Sequence, residues 1–190
     1  MILPIMSINP SDAIALLMAD HTAIKALFEA YPALALQRDA HGPKAALVGR
    51  ICDELSMHGR IEGEIFYPAV RKAIEEDGLL DEAIAGHAGA DELIAQLRAM
   101  APGDDLYDAR VAVLAECIEH HVKEEEGTMF PRVRNSPIDT QGLGLQMWAR
   151  RDELMSGPRE SDADGFGPPR AWKANGWSPV LQPGAVIATS

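Results

Sequence analysis

Apolar residues recur every three or four positions through four stretches of this chain, and proline, glycine or small polar residues separate the stretches. That spacing fits one face of a helix, not the alternation of a half-buried strand. In the first stretch Ile14, Leu17, Met18, His21, Ile24, Lys25 and Phe28 keep step, predicting a helix capped by Asn9 or Ser11. It reaches about Glu29, where Tyr31-Pro32 disturbs it. The second helix opens near Pro43 and carries Leu47, Ile51, Leu55, His58, Ile61, Glu62 and Ile65 on its inner stripe. Pro68 kinks it locally, and it runs on to Asp77-Gly78. A third helix covers residues 79–100 with Ile84, His87, Leu93, Ile94 and Leu97 in register. After the break at Ala101-Pro102-Gly103-Asp104, a fourth runs from about Asp105 to Arg134 through Leu114, Cys117, Ile118, His121, Val122 and Glu125.

Four helices of this length with modest links predict an all-α protein, an up-down four-helix bundle over residues 11–135. Asn135-Ser136-Pro137 closes it. Residues 136–156 hold a shorter accessory helix, with Leu143, Leu145, Met147, Trp148 and Leu154 at helical spacing. From residue 157 to 190 glycine and proline dominate, which predicts an extended or disordered tail, with Trp172 and Trp177 as points that could dock on the bundle.

The inner stripes are not purely apolar. HGRIEGEIFYP (58–68) and HVKEEEGTMFP (121–131) are one phrase written twice. With His58 set on His121, Ile51 falls on Leu114, Leu55 on Ile118, Glu62 on Glu125, Phe66 on Met129, Tyr67 on Phe130 and Pro68 on Pro131. The preceding helices match too, with His21 answering His87. The bundle reads as two copies of one helical hairpin, each offering a histidine and then HxxxE.

Residues four apart share a helix face, so HxxxE aims an imidazole and a carboxylate the same way, here into the core. An unpaired buried glutamate is costly. Four imidazoles and two carboxylates in one core make sense around cations, which neutralise the carboxylates and take the imidazole lone pairs. The candidate ligands are His21, His58, Glu62, His87, His121 and Glu125. Symmetric pairing puts His21 and His58 on one metal and His87 and His121 on the other, with Glu62 and Glu125 between them. Bridging carboxylates and a shared solvent-derived bridge leave one position open on each metal. Mixed nitrogen and oxygen ligation suits iron, with manganese or zinc as alternatives. Open positions suit a small ligand such as O2, NO or peroxide.

The order His…HxxxE…His…HxxxE, with an aromatic-proline or Phe-Pro close after each HxxxE, resembles the hemerythrin-like (HHE cation-binding) domain over about residues 11–135. The resemblance implies two iron ions joined by an oxo or hydroxo bridge. It also implies a role among oxygen binding, sensing of oxygen, iron or redox state, nitric-oxide handling, iron delivery and peroxide decomposition. Oxygen-carrying hemerythrins have a further histidine one turn from the third; here the neighbouring turns carry Asp91 and Ala83. That departure favours sensing or redox chemistry over reversible carriage. Asp91 and Glu54, one turn before His58, are candidates for extra ligands or for groups that support the ligands.

Three readings stay open on these residues: a protein that binds or senses O2, NO, iron or redox state; an enzyme that decomposes peroxide or oxidises ferrous iron; and a partner-binding helical module with a structural metal. Tyr67 and Phe130 read as pocket walls, with a role for Tyr67 in proton or electron transfer as the lesser reading; His120 reads as exposed and His41 as a loop residue. The net charge of -12 argues against nucleic acid as a partner. Cys52 and Cys117 sit in helical patterns without a CxxC pair and read as buried, reduced thiols. The N-terminal MILPIMSINPS lacks a basic n-region, and no run approaches the roughly 18 apolar residues of a spanning helix. A cytoplasmic protein with no membrane partner is the expectation; no protein partner can be named.

Overall fold

A computed structural model describes residues 12–37, 39–74 and 77–156. Helix α1 (Ala13–Ala35) begins at Asp12, whose carboxylate accepts from the Ala15 N–H at 2.9 Å. The cap is therefore Asp12, not Ser11 or Asn9, which lie outside the described residues. The helix also runs through Pro32 instead of stopping near Glu29. A tertiary anchor outweighs the missing N–H: Tyr31 is buried, and its hydroxyl donates to Asp108 at 2.5 Å, while Lys44 holds the same carboxylate.

Helix α2 (His41–Ile61) passes through a π-helical turn (Glu62–Phe66) into α3 (Tyr67–Ala73). Helix α4 (Asp77–Arg98) follows, so Asp77-Gly78 starts a helix and does not end one. Helix α5 (Tyr107–Glu124) passes through a second π turn (Glu125–Met129) into α6 (Phe130–Arg134). Helix α7 (Thr140–Ser156) is the shorter C-terminal helix. The expected tail, with Trp172 and Trp177, lies outside the described residues.

Cross-helix pairs fix the directions. His21 meets His58, and Tyr31 lies at the level of Lys44, so α1 and α2 are antiparallel. His87 meets His121 and Gln96 meets Arg110, so α4 and α5 are antiparallel too. Arg98 reaches Ser56 while His87 reaches Glu62, which sets α4 against α2 in the same sense. The architecture is an up-down-up-down four-helix bundle. None of the described helices is long and apolar enough to cross a membrane.

Two apolar layers fill the bundle. One includes Ile24, Ile51, Leu55, Ile94, Val111 and Leu114. The other includes Ile14, Leu17, Phe66, Leu80, Phe130 and Val133, and takes in Leu143 and Met147 of α7. His58, Glu62, His121 and Glu125 of the repeated phrase, with His21, are buried at the level between these layers. Cys52 is buried, but Cys117 is exposed, correcting the reading of two buried thiols: it sits beside Ile118 at the edge of the α5 stripe.

Candidate metal centre

Proline shapes both halves of the site. Pro68 and Pro131 have no N–H to give the carbonyl four residues earlier, and a proline ring presses against that carbonyl in a regular α-helix. The backbone widens instead of breaking. The Tyr67 N–H bonds the Glu62 carbonyl and the Phe130 N–H bonds the Glu125 carbonyl, each five residues back. Such turns are frequent at functional sites. Here each one opens on a glutamate of HxxxE and lets two consecutive large residues, Phe66-Tyr67 and Met129-Phe130, both bury.

The four ligand candidates of the repeated phrase, His58, Glu62, His121 and Glu125, converge with the two preceding histidines, His21 and His87. His21 Nε2 lies 3.3 Å from Glu125 Oε2, and His58 Nε2 lies 3.2 Å from Glu62 Oε2. His87 Nε2 lies 3.2 Å from Glu62 Oε2 and 3.1 Å from His121 Nε2, which in turn lies 3.5 Å from Glu125 Oε2. Two groups could hold a cation: His21, His58, Glu62 and Glu125, and beside it Glu62, His87 and His121. Glu62 belongs to both groups and is 0% exposed.

At four of the site's atoms proximity is not hydrogen bonding. His21 Nε2, His58 Nε2, Glu62 Oε1 and Glu125 Oε2 are buried with no hydrogen-bond partner among the described residues. Buried polar atoms are almost always satisfied. Two imidazole nitrogens and two carboxylate oxygens left facing one another fit a bound cation, which such atoms ligate together.

Tyr67 is the residue that sequence reasoning undervalued. Its hydroxyl donates to Glu125 Oε1 at 2.9 Å, with Glu62 Oε2 at 3.4 Å and His87 Nε2 at 3.2 Å. The available signal was the alignment itself: Tyr67 falls on Phe130, so its hydroxyl is what breaks the symmetry of the two copies. Glu54 is exposed and belongs to neither group. Asp91 is half-buried and outside both groups, but it lines a cleft over His21, His58, His87 and His121 whose walls include Ile24, Leu55, Ile94 and Ile118. His120 is exposed as expected, and His41 begins α2 instead of lying in a loop.

The metal-free charge pattern follows from burial and neighbours. Burial opposes the charged form of His21, but Glu125, Glu62 and Glu126 outweigh it and hold its pKa at about 9. Burial and the charge of Glu125 push Glu62 up to about 8. Glu125 is pulled down despite burial, by His21 against it and by His121 and His58 nearby. The Glu62–Glu125 pair therefore shares one proton, with Glu62 the favoured holder. Burial lowers His87, and lowers His121 to about 3; it raises Asp91 to about 7 and Tyr67 well above its ordinary range.

A proton count follows. At neutral pH the metal-free site holds protons on His21 and Glu62, and a cation must displace them. Filling the site is expected to release about two protons per chain, and affinity is expected to climb with pH up to about 8 and to level off above about 9. Calorimetric titration in two buffers of different ionisation enthalpy reads the number. Buffer-independent heats would contradict it.

The family model described as Hemerythrin HHE cation binding domain matches residues 12–133. A crystal structure of a hemerythrin HHE cation binding domain-containing protein from Mycobacterium kansasii superposes with a TM-score of 0.60 and 23% identity, covering 78% of this chain and 94% of that one. A protein named DNA nickase, from Nostoc sp. (strain PCC 7120 / SAG 25.82 / UTEX 2576), is 32% identical over 101 residues, which are 53% of this chain and 28% of that relative.

Proposed function

This chain belongs to the hemerythrin HHE cation-binding domain family, and we propose on that premise that it is a non-haem di-iron protein that binds or senses a small ligand such as O2 or NO, or cellular iron and redox state. His21 and His58 hold one iron, His87 and His121 the other, and Glu62 and Glu125 lie between them. The observation that carries the reading is the set of four buried, partnerless ligand atoms on His21, His58, Glu62 and Glu125. A second observation supports a small ligand: the cleft over the four histidines is walled mostly by apolar side chains, which suits an uncharged diatomic molecule. The bound pair supplies one-electron redox change and open coordination positions. The chain's own residues exclude water with the two apolar layers, fix the imidazoles, and offer the Tyr67 hydroxyl as a hydrogen-bond donor to Glu125.

The expected exclusion of nucleic acid is not carried forward. It rests on net charge alone, and a relative sharing this segment bears the name DNA nickase.

The test is iron content and optical spectrum of protein from iron-supplemented cells, followed by exposure of the reduced protein to O2 and NO and of the oxidised protein to peroxide. About two irons per chain and a stable adduct without turnover are expected. Prompt, sustained peroxide consumption would replace the binding role with an enzymatic one, and protein without metal would end the di-iron reading.

A further inference from the structure

We propose that Arg151 of α7 is a positioning residue for the metal centre, acting through Asp20 on His58; the proposal rests on the metal reading above. His58 presents Nε2 to the centre, and its other nitrogen, Nδ1, lies 3.4 Å from Asp20 Oδ2. Asp20 is gripped at both oxygens by Arg151: Nη1 donates to Oδ1 at 2.9 Å and Nη2 to Oδ2. The chain Arg151–Asp20–His58 thus runs from the C-terminal helix to a candidate ligand.

Docking alone does not explain this arginine. Its side chain is 18% exposed and Asp20's is 16%, and Arg151 Nε is buried without a hydrogen-bond partner among the described residues. A helix can be held more cheaply by apolar side chains, and α7 already uses Leu143 and Met147 for that purpose. What the ion pair adds is orientation. A forked guanidinium locks the plane of the carboxylate, and a locked carboxylate on Nδ1–H sets both the tautomer and the ring angle of a ligating histidine.

The device is one-sided. His21 has Glu126 at 2.8 Å from Nδ1, but that carboxylate is 36% exposed, against 16% for Asp20. Among the described residues, no carboxylate hydrogen-bonds Nδ1 of His87 or His121. The His21/His58 half is therefore the buttressed one, and α7 holds the acid that faces His58. A carboxylate on the far nitrogen makes the imidazole a stronger donor and favours the oxidised metal.

The experiment compares Arg151→Gln, Arg151→Lys and Arg150→Gln by anaerobic titration with ferrous iron, reduction potential and near-ultraviolet spectrum, with thermal melts of the metal-free proteins alongside. Arg150 holds the same helix through Glu64, at 2.7 Å, and so reports on docking alone. Arg151→Gln is expected to weaken one of the two iron sites about 10- to 100-fold and to shift the potential towards the reduced state. Arg151→Lys is expected to give a smaller shift in the same direction, and it serves as the reading if the glutamine variant does not fold. Arg150→Gln is expected to lower the melting temperature and leave affinity and spectrum unchanged. Equal effects at Arg150 and Arg151, or normal loading with unchanged potential in both Arg151 variants, would overturn the proposal. Wild-type protein that takes up no iron would instead overturn the reading beneath it.

Discussion

Replacing Glu62 and Glu125 together by leucine is expected to empty the centre while leaving the metal-free fold at least as stable as metal-free wild type. The two glutamates are 0% and 1% exposed, and each has an oxygen without a partner. Without a cation, each carboxyl must lose its hydration or keep a proton it would shed in water, and the pKa of about 8 at Glu62 is the mark of that cost. Leucine is close to glutamate in volume and returns the layer to apolar packing. Replacing buried ionic groups by apolar ones of similar size is neutral or stabilising by about 1–4 kcal/mol. Two losses work against the gain: Tyr67 gives up its acceptor on Glu125, though His87 Nε2 remains 3.2 Å from the hydroxyl, and His21 loses the two buried carboxylates that favour its charged form. With metal present the order reverses, because an ion that binds only the folded chain stabilises it by mass action. Melting temperatures should therefore rank loaded wild type first, the leucine variant second or level with metal-free wild type. Iron content should fall to background with the near-ultraviolet absorption lost. A variant that keeps its iron and spectrum would sink the assignment of these carboxylates, and a metal-free variant that cannot fold would sink the energetic argument.

The bundle was legible because its two hairpins repeat. Ile51 and Leu114 are both buried, as are Phe66 and Met129, so the alignment of the two phrases found real structural equivalents. The π turns were not legible, since apolar spacing does not report a change of hydrogen-bond register; the prolines signalled a disturbance without specifying its form. Pro32 misled in the other direction. Local chemistry marked an end to α1, and the Tyr31–Asp108–Lys44 contacts across the bundle carried the helix onward. At the centre the pattern named the residues that converge but undervalued Tyr67, because an aromatic beside a proline reads first as a wall until its hydroxyl is seen against Glu125. The Arg151–Asp20–His58 chain was beyond sequence reasoning altogether: nothing in residue spacing says which helix face α7 lies against.

That docking leads to the second large effect. Gly144→Val is expected to lift α7 from the bundle at a cost of about 3–5 kcal/mol, roughly the burial of two large apolar side chains. A Cβ at Gly144 would lie 2.8 Å from the Ala13 nitrogen and 2.8 Å from the Asp12 carbonyl carbon. Both are backbone atoms at the start of α1, which cannot swing aside, so α7 must move. Leu143 and Met147, 7% and 0% exposed, lose their cover with it, and so does the Thr140 hydroxyl, which donates to Asp12 at 2.7 Å. Removing a helical glycine returns at most about 1 kcal/mol of helix propensity, and less for valine, so the clash decides the sign. Gly142→Ala is the matched control: its Cβ would meet only the Asp139 side chain, which can rotate away by giving up its bond from the Gly142 N–H, and that loss against the gain in helix propensity leaves a near-neutral change. A chain of this size loses about 2–4 °C per kcal/mol, which puts the fall for Gly144→Val on the order of 10 °C. The metal readout then separates docking from consequence. If α7 leaves, Arg151 leaves Asp20, and the iron-loaded Gly144→Val protein should show the weakened site and shifted potential of Arg151→Gln, although residue 144 touches no ligand. A large thermal loss with an unchanged centre would mean that His58 keeps its orientation without α7, and the arginine's grip on Asp20 would then serve the fold alone.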